Sequence, residues 1–128
     1  MTVQEAITAA EHLLPGRPAP KGKEDARWQA IIEIGNFVRH EPEAIWPFVL
    51  RWGSHKDEDL RTAIATCLLE HLLEHHFDLL FPRVGTAARS NACFAKMLPL
   101  CGKFGQAQDT DRAARMDNLC STIRKRSL

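Results

Sequence analysis

The chain has 128 residues, with 17 basic and 16 acidic side chains and a formal net charge of +1. This length predicts a single domain with its own core, and the near-balance of charge argues against a highly basic nucleic-acid binder and against an acidic tail protein. No run approaches about 18 apolar residues, and the N-terminus lacks the basic-then-apolar run of a secretory signal, so we expect a cytoplasmic protein with no membrane partner. The four cysteines contain no Cys-x-x-Cys pair, and we expect them to be reduced and mostly buried.

Proline and glycine residues divide the chain into helical segments. The apolar spacing predicts helices over residues 3–14, 24–40, 43–53, 60–75, 77–90, 91–103 and 111–126. Residues 17–23 hold two prolines and a glycine among basic residues and predict a loop, and residues 106–110 predict a polar loop. The sequence therefore predicts an all-α fold.

Parts of the chain repeat after about 35 residues, a period typical of α-solenoids. The pair Asp25 and Arg27 returns as Asp59 and Arg61. The segment Ala-Ile-Trp-Pro-Phe-Val at 44–49 likewise returns as Leu-Leu-Phe-Pro-Arg-Val at 79–84. In a solenoid, each helix pair buries its apolar face only against its neighbours.

The repeat divides one domain, residues 1–128, into three parts. Residues 1–23 form an N-terminal helix and loop, residues 24–90 form two clear repeats, and residues 91–128 form a degenerate third repeat. A terminal repeat that departs from the pattern is expected at the end of a stack, because it covers the last apolar face.

These repeats resemble HEAT-type repeats in their Asp-x-Arg openings and in the apolar-apolar-aromatic-Pro-x-Val opening of the second helix. The likeness covers about residues 24–90. It implies a short HEAT-like α-solenoid of about three antiparallel helix pairs plus an N-terminal helix, and a protein that binds a partner without catalysing a reaction. In HEAT repeats the Asp and Arg help to fix the turn and the stacking of neighbours. We therefore expect Arg61 to be buried or hydrogen-bonded near Asp59 or the adjoining turn.

One short motif points to a different chemistry. Residues 71–75 read His-x-x-Glu-His, the zinc motif of an inverted class of metalloproteases. In that hypothesis His71 and His75 share a zinc ion and Glu74 acts as the general base. The other interpretation, which we prefer, is that both histidines lie in or beside the core with local hydrogen-bond partners. We accordingly expect no metal, no cofactor and no catalytic residues.

Basic residues supply the alternative of nucleic-acid binding. They include Arg89 and the run Arg124, Lys125 and Arg126. Some helical-repeat folds, the HEAT-like alkylpurine glycosylases among them, bind DNA through basic side chains on a concave face. Acidic residues are interleaved here, and a basic last turn also complements the helix dipole. We therefore expect a solvated basic end.

Protein binding is the function that the sequence favours. We expect at least two of Trp28, Trp46 and Trp52 to pack in the core, while Trp46 either packs on the next repeat or faces a partner. Arg83 replaces the Phe48 of the preceding repeat, a change that a core position would not tolerate, so Arg83 is predicted to be accessible. The residues predicted to bind the partner are Arg83, Arg51, His55, Lys56 and Trp46. Such a protein is an adaptor, or an inhibitor of the immunity type.

Overall fold

The computed structural model describes residues 1–126, which form helices joined by short turns. The α-helices are α1 (Val3–Leu13), α2 (Ala26–Gly35), α3 (Pro42–Gly53), α4 (Glu58–Ile64), α5 (Glu70–His75), α6 (Phe77–Ser90), α7 (Ala92–Ala95) and α8 (Thr110–Arg126). A π-helical segment, Ala65–Leu69, joins α4 to α5, and 3₁₀ turns cover Leu98–Leu100 and Gly105–Gln108. No residue from 1 to 126 lies in a β-strand, so the all-α prediction is confirmed.

The predicted elements agree with the structure except in four places. The helix predicted over residues 60–75 contains the π-helical segment Ala65–Leu69, and the loop predicted over residues 106–110 is largely the 3₁₀ turn Gly105–Gln108. The helix predicted over residues 24–40 ends at Gly35 and continues as hydrogen-bonded turns. The helix predicted over residues 91–103 is wrong beyond Ala95. Pro99 has no backbone N–H, and its ring would clash with the carbonyl group of Ala95, so the chain turns there into a 3₁₀ segment.

The helices pack mainly on elements that are close to them in the chain. α1 packs on α2 and α3, α2 packs on α4 and the π-helical segment, and α6 packs on α5, α7 and α8. The core between them is continuous, and its largest fully buried side chains include Ile31, Ile45, Leu68, Phe77 and Phe94. The four cysteines are free and half-buried, which agrees only in part with the expectation that most are buried.

Arg27, in the first turn of α2, is a buried charge with several partners. It is only 4% exposed. Its guanidinium donates to the carboxylate of Asp25, which caps α2, and to the backbone oxygen of Pro15 at 2.8 Å. It also reaches Asp59 in α4 at 2.6 Å. Because these partners belong to the preceding loop and to the next repeat, Arg27 connects three parts of the chain.

Arg61 occupies the matching position in the second repeat and is also buried. Its guanidinium donates to the backbone oxygens of His55 and Lys56, at 3.1 and 3.0 Å. The prediction that Arg61 is buried and bonded to the adjoining turn is confirmed. No carboxylate of a third repeat meets it, since the residue that aligns with Asp59 there is Cys93.

The Asp25 carboxylate gives the fold a defined acid sensitivity. Burial alone would raise the pKa of Asp25, but hydrogen bonds from Arg27 and from the backbone N–H of Ala19 outweigh it and hold the pKa below its usual value. A depressed folded-state pKa stabilises the protein at pH values above the unfolded pKa of about 3.9. That stability is lost as the pH falls through the folded-state pKa.

Replacing Asp25 by asparagine is therefore expected to lower the melting temperature at pH 7, and this effect is expected to shrink as the pH falls through the folded-state pKa of Asp25. Asparagine is a good N-cap residue, so the variant removes the charge while keeping the cap of α2. Thermal melts of both proteins from pH 7 downward measure the difference. A gap in melting temperature that stays constant across this range would contradict the assignment.

Candidate functional site

The last turn of α3 and the turn after it bring together three of the predicted binding residues. Arg51 and His55 lie against the ring of Trp52, and the exposed Lys56 follows His55 in the chain; we call these four residues the Arg51 patch. The Arg51 guanidinium carbon lies 4.5 Å from the centre of the Trp52 ring, and the His55 ring centre lies 6.0 Å from it. Arg51 remains accessible, with 65% of its side chain exposed. The patch therefore offers a cation supported by a buried aromatic ring.

The backbone beneath the Arg51 patch is held by hydrogen bonds. The Nδ1 atom of His55 accepts a hydrogen bond from the backbone N–H of Asp57 at 3.1 Å, which leaves Nε2 as the protonated nitrogen of a neutral ring. Arg61 binds the two carbonyl groups of this turn, as described above. A turn fixed in this way loses little conformational entropy when a partner binds.

Arg83 does not join the patch. Its guanidinium pairs with Glu43 at 2.8 Å, in the first turn of α3, whereas Arg51 lies in the last turn of the same helix. The Arg83 side chain is 38% exposed, while Phe48, its counterpart in the preceding repeat, is buried. The exchange of Phe48 for Arg83 thus reflects a real difference in burial, and Glu43 neutralises part of the charge of Arg83.

Ion pairs link α3 and α6 to neighbouring helices. Arg51 of α3 pairs with Glu11 of α1 at 3.1 Å. On α6, Asp78 accepts from Arg112 of α8 at 2.8 Å, and Arg115 lies 3.5 Å from it. In these contacts and in the Arg83–Glu43 pair, the arginines are matched by carboxylates of the protein itself.

Trp46 was predicted to bind the partner, and this prediction is corrected by the structure. Trp46 is 8% exposed, and its ring meets the edge of Phe94 at a centroid distance of 6.0 Å. It packs on the following repeat because α3 is apolar on several sides and lies between neighbouring helices. Trp52 is also buried and Trp28 is half-buried, so the expectation that at least two tryptophans lie in the core is confirmed.

The histidine motif of α5 holds a loop in place. The Nδ1 atom of His71 lies 2.8 Å from a Glu74 oxygen, and its ring stacks on Phe104 with the ring centres 6.4 Å apart. The Nε2 atom of His75 lies 3.7 Å from the same carboxylate. Nearby, Glu70 accepts a hydrogen bond from the backbone N–H of Gly102 at 2.6 Å.

These contacts attach residues 102–106 to α5. In the part of the chain that the structure describes, no group of three or more His, Cys, Asp or Glu side chains has the arrangement of a metal site. The geometry agrees with the interpretation of His71 and His75 as boundary residues with local partners.

A groove that the sequence did not predict lies between the α6–α7 junction and α8, and we call it the basic groove. It encloses about 390 Å³. Its apolar lining includes Ala88, Ala92, Ala95, Pro99 and Cys120. Its cationic lining consists of Arg89, Lys96, Arg124 and Arg126. The sequence showed three of these cations, but it gave no signal that they meet Lys96 around one apolar surface.

The cations of the basic groove differ from the arginines that form interhelical ion pairs. No Asp or Glu lines the groove. Among residues 1–126, none of the four cations takes part in an ion pair, whereas Arg27, Arg51, Arg83, Arg112 and Arg115 all do. Burial raises the pKa of the Cys120 thiol, so this group stays protonated and acts as an apolar wall rather than a nucleophile.

Comparison of the chain with protein-family models, with curated proteins and with solved structures gave no match. No helix within residues 1–126 has the length and apolar character needed to cross a lipid bilayer.

Proposed function

We propose that this protein is a non-enzymatic protein-binding module, an adaptor or an inhibitor of the immunity type, built as a short HEAT-like α-solenoid. The stacking of helices on near neighbours and the bond from Arg27 of one repeat to Asp59 of the next support the solenoid. The proposal of protein binding rests on the Arg51 patch. It presents an exposed guanidinium on a buried tryptophan above a turn that is already fixed.

Arginine and tryptophan are enriched among the residues that dominate protein interfaces. In the Arg51 patch the buried tryptophan ring and the Glu11 carboxylate orient the arginine. A partner that binds the exposed side of the guanidinium gains a rigid cationic contact at low entropic cost, although Glu11 neutralises part of its charge. Lys56 adds a second exposed cation beside it. An acidic protein surface therefore complements the patch.

The test is affinity capture with the wild-type protein and with a variant in which Arg51 and Lys56 are both changed to glutamate. A protein bound through the patch is expected to be retained by the wild type and lost about tenfold or more by the variant, because charge reversal sets like charges against each other. Arg17 and Lys21 lie exposed in the loop before α2, and their joint change to glutamate is the control with the same change in charge.

Circular-dichroism melts identify variants that fail to fold, and Arg51→Gln serves as a second variant that removes the charge without reversing it.

Arg83 is tested separately. The single change Arg83→Glu is expected to weaken capture. Adding Glu43→Arg restores the interhelical ion pair but keeps the negative charge at position 83. Equal capture of one purified partner by the wild type and by every patch variant would refute the patch as the binding surface.

A further inference from the structure

The basic groove is a second surface, separate from the Arg51 patch, and it combines an apolar floor with unpaired positive charge. Ala88, at the end of α6, and Ala95, in α7, are buried beneath it, whereas Lys96 and Arg124 are exposed at its rim. A surface of this kind complements a ligand with one apolar side and flanking negative charges.

We propose that the basic groove binds an acidic amphipathic helix of a protein partner. The binding partner inserts small or branched apolar side chains between α7 and α8 and places carboxylates against Arg89, Lys96, Arg124 and Arg126. This inference goes beyond the proposed function, since it assigns a new site and the chemistry of its ligand.

The positive charge of the groove indicates that its ligand carries negative charge. Four cations line the groove, and no carboxylate from residues 1–126 lines it, although the whole chain carries only one net positive charge. Several other arginines have acidic partners within the protein, as Arg83 has Glu43. The groove cations are therefore free to pair with carboxylates from another molecule.

The size of the groove determines the form of the ligand. Its wall on α8 extends from Cys120 to Arg126, which is roughly 9 Å along a helix at a rise of about 1.5 Å per residue. About two turns of a docked helix match this length, with apolar anchors at positions i, i+3 and i+4. Acidic side chains on both edges of that helix then lie beside the cationic rim.

The floor of the groove favours a protein helix over nucleic acid. Single-stranded nucleic acids bind to surfaces where aromatic rings stack on the bases, and no aromatic side chain lines this groove. Phosphate groups would pair with the cations, but they would leave the alanine and proline floor without a partner. An acidic amphipathic helix places carboxylates against the cations and apolar side chains against the floor.

The test uses a fluorescein-labelled, helix-stabilised peptide of about 15 residues, with leucines on one face and glutamates beside them. A peptide of the same composition in scrambled order has the same charge without an apolar face. A duplex DNA of similar length tests the nucleic-acid alternative. Fluorescence anisotropy measures the binding of each probe to the full chain at low and at moderate salt.

Moderate salt weakens purely ionic binding. Under that condition we expect the amphipathic probe to bind at least about tenfold more tightly than either the scrambled peptide or the DNA. Arg124→Glu and Lys96→Glu are each expected to weaken the amphipathic probe about tenfold. Lys125→Glu is the matched control, because it makes the same charge change in the same helical turn but does not line the groove. Its effect is expected to stay within about twofold.

Ala92→Gln tests the floor without changing charge, and it is expected to weaken the amphipathic probe while leaving the scrambled peptide unaffected. Ala92 is exposed at the first position of α7, so this variant is expected to fold. The Arg51→Gln variant is expected to bind the probe like the wild type, which separates this site from the Arg51 patch.

The inference is overturned by any of three results. These are equal binding of the amphipathic and scrambled peptides, equal weakening by Arg124→Glu and Lys125→Glu, or tighter binding of the DNA that persists at moderate salt. No measurable binding of the amphipathic probe at a concentration of about 1 mM also overturns it.

Discussion

Replacing Arg27 by alanine is expected to lower the free energy of unfolding by about 3 kcal/mol, near the lower end of the range for breaking buried ion pairs. The change removes the bonds to Asp25, Asp59 and the Pro15 carbonyl together. The carboxylates stay partly exposed, and Asp59 regains water, so the full penalty of a buried unpaired charge is not expected. Urea titration followed by circular dichroism measures the effect.

Arg61→Ala is the matched comparison, because Arg61 is equally buried but binds only two backbone carbonyl groups. Its expected cost is about 1–3 kcal/mol, the range for leaving buried polar groups unpaired. Arg27→Lys keeps the charge but not the fork-shaped set of donors, and it is expected to recover only part of the lost stability. If Arg27→Ala costs less than Arg61→Ala, the bond to the next repeat contributes nothing to stability.

Replacing Phe94 by alanine is expected to be more destabilising, by about 3–5 kcal/mol, the range for removing a buried phenylalanine side chain from a core. Phe94 is fully buried in the short helix α7, where its ring meets Trp46 of α3. The truncation leaves a cavity between these two helices and removes the edge-to-face contact. Thermal and urea unfolding measure the loss.

Phe104→Ala is the control for this prediction, since it makes the same chemical change at an exposed phenylalanine that stacks on His71. Its expected cost is below about 1 kcal/mol. Similar losses for Phe94 and Phe104 would show that α7 is not anchored through its aromatic side chain.

The sequence predicted most of the helices and the burial of Arg61, because these features depend on local signals. Apolar spacing and the positions of proline and glycine mark where helices begin and end. The two Asp-x-Arg segments differ in detail: Asp25 caps α2 beside Arg27, whereas Asp57 caps α4 and Arg61 binds carbonyl groups of the preceding turn. The short third repeat was harder to predict. Pro99 signals an interruption, but the apolar spacing on both sides of it still resembles one helix.

The sequence did not predict which exposed residues meet. Trp46 lies in a helix that is apolar on several faces, so periodicity alone does not show whether it packs on a neighbour or faces solvent. The pairing of Arg83 with Glu43 joins residues far apart in the chain. The basic groove could not be predicted for the same reason, because its walls come from the α6–α7 junction and from the end of α8, which are far apart in the chain.

The two junctions between successive parts of the molecule differ in chemistry. α2 and α4 are joined by the buried guanidinium of Arg27 and the partly exposed carboxylates of Asp25 and Asp59. In contrast, α3 and α7 meet through the rings of Trp46 and Phe94, and the Met97 side chain packs against Gly53. Low pH weakens the first junction and has no charged group to act on in the second. In acid, the α2–α4 junction is therefore expected to open before the α3–α7 junction, so the amide protons of α2 exchange before those around Phe94.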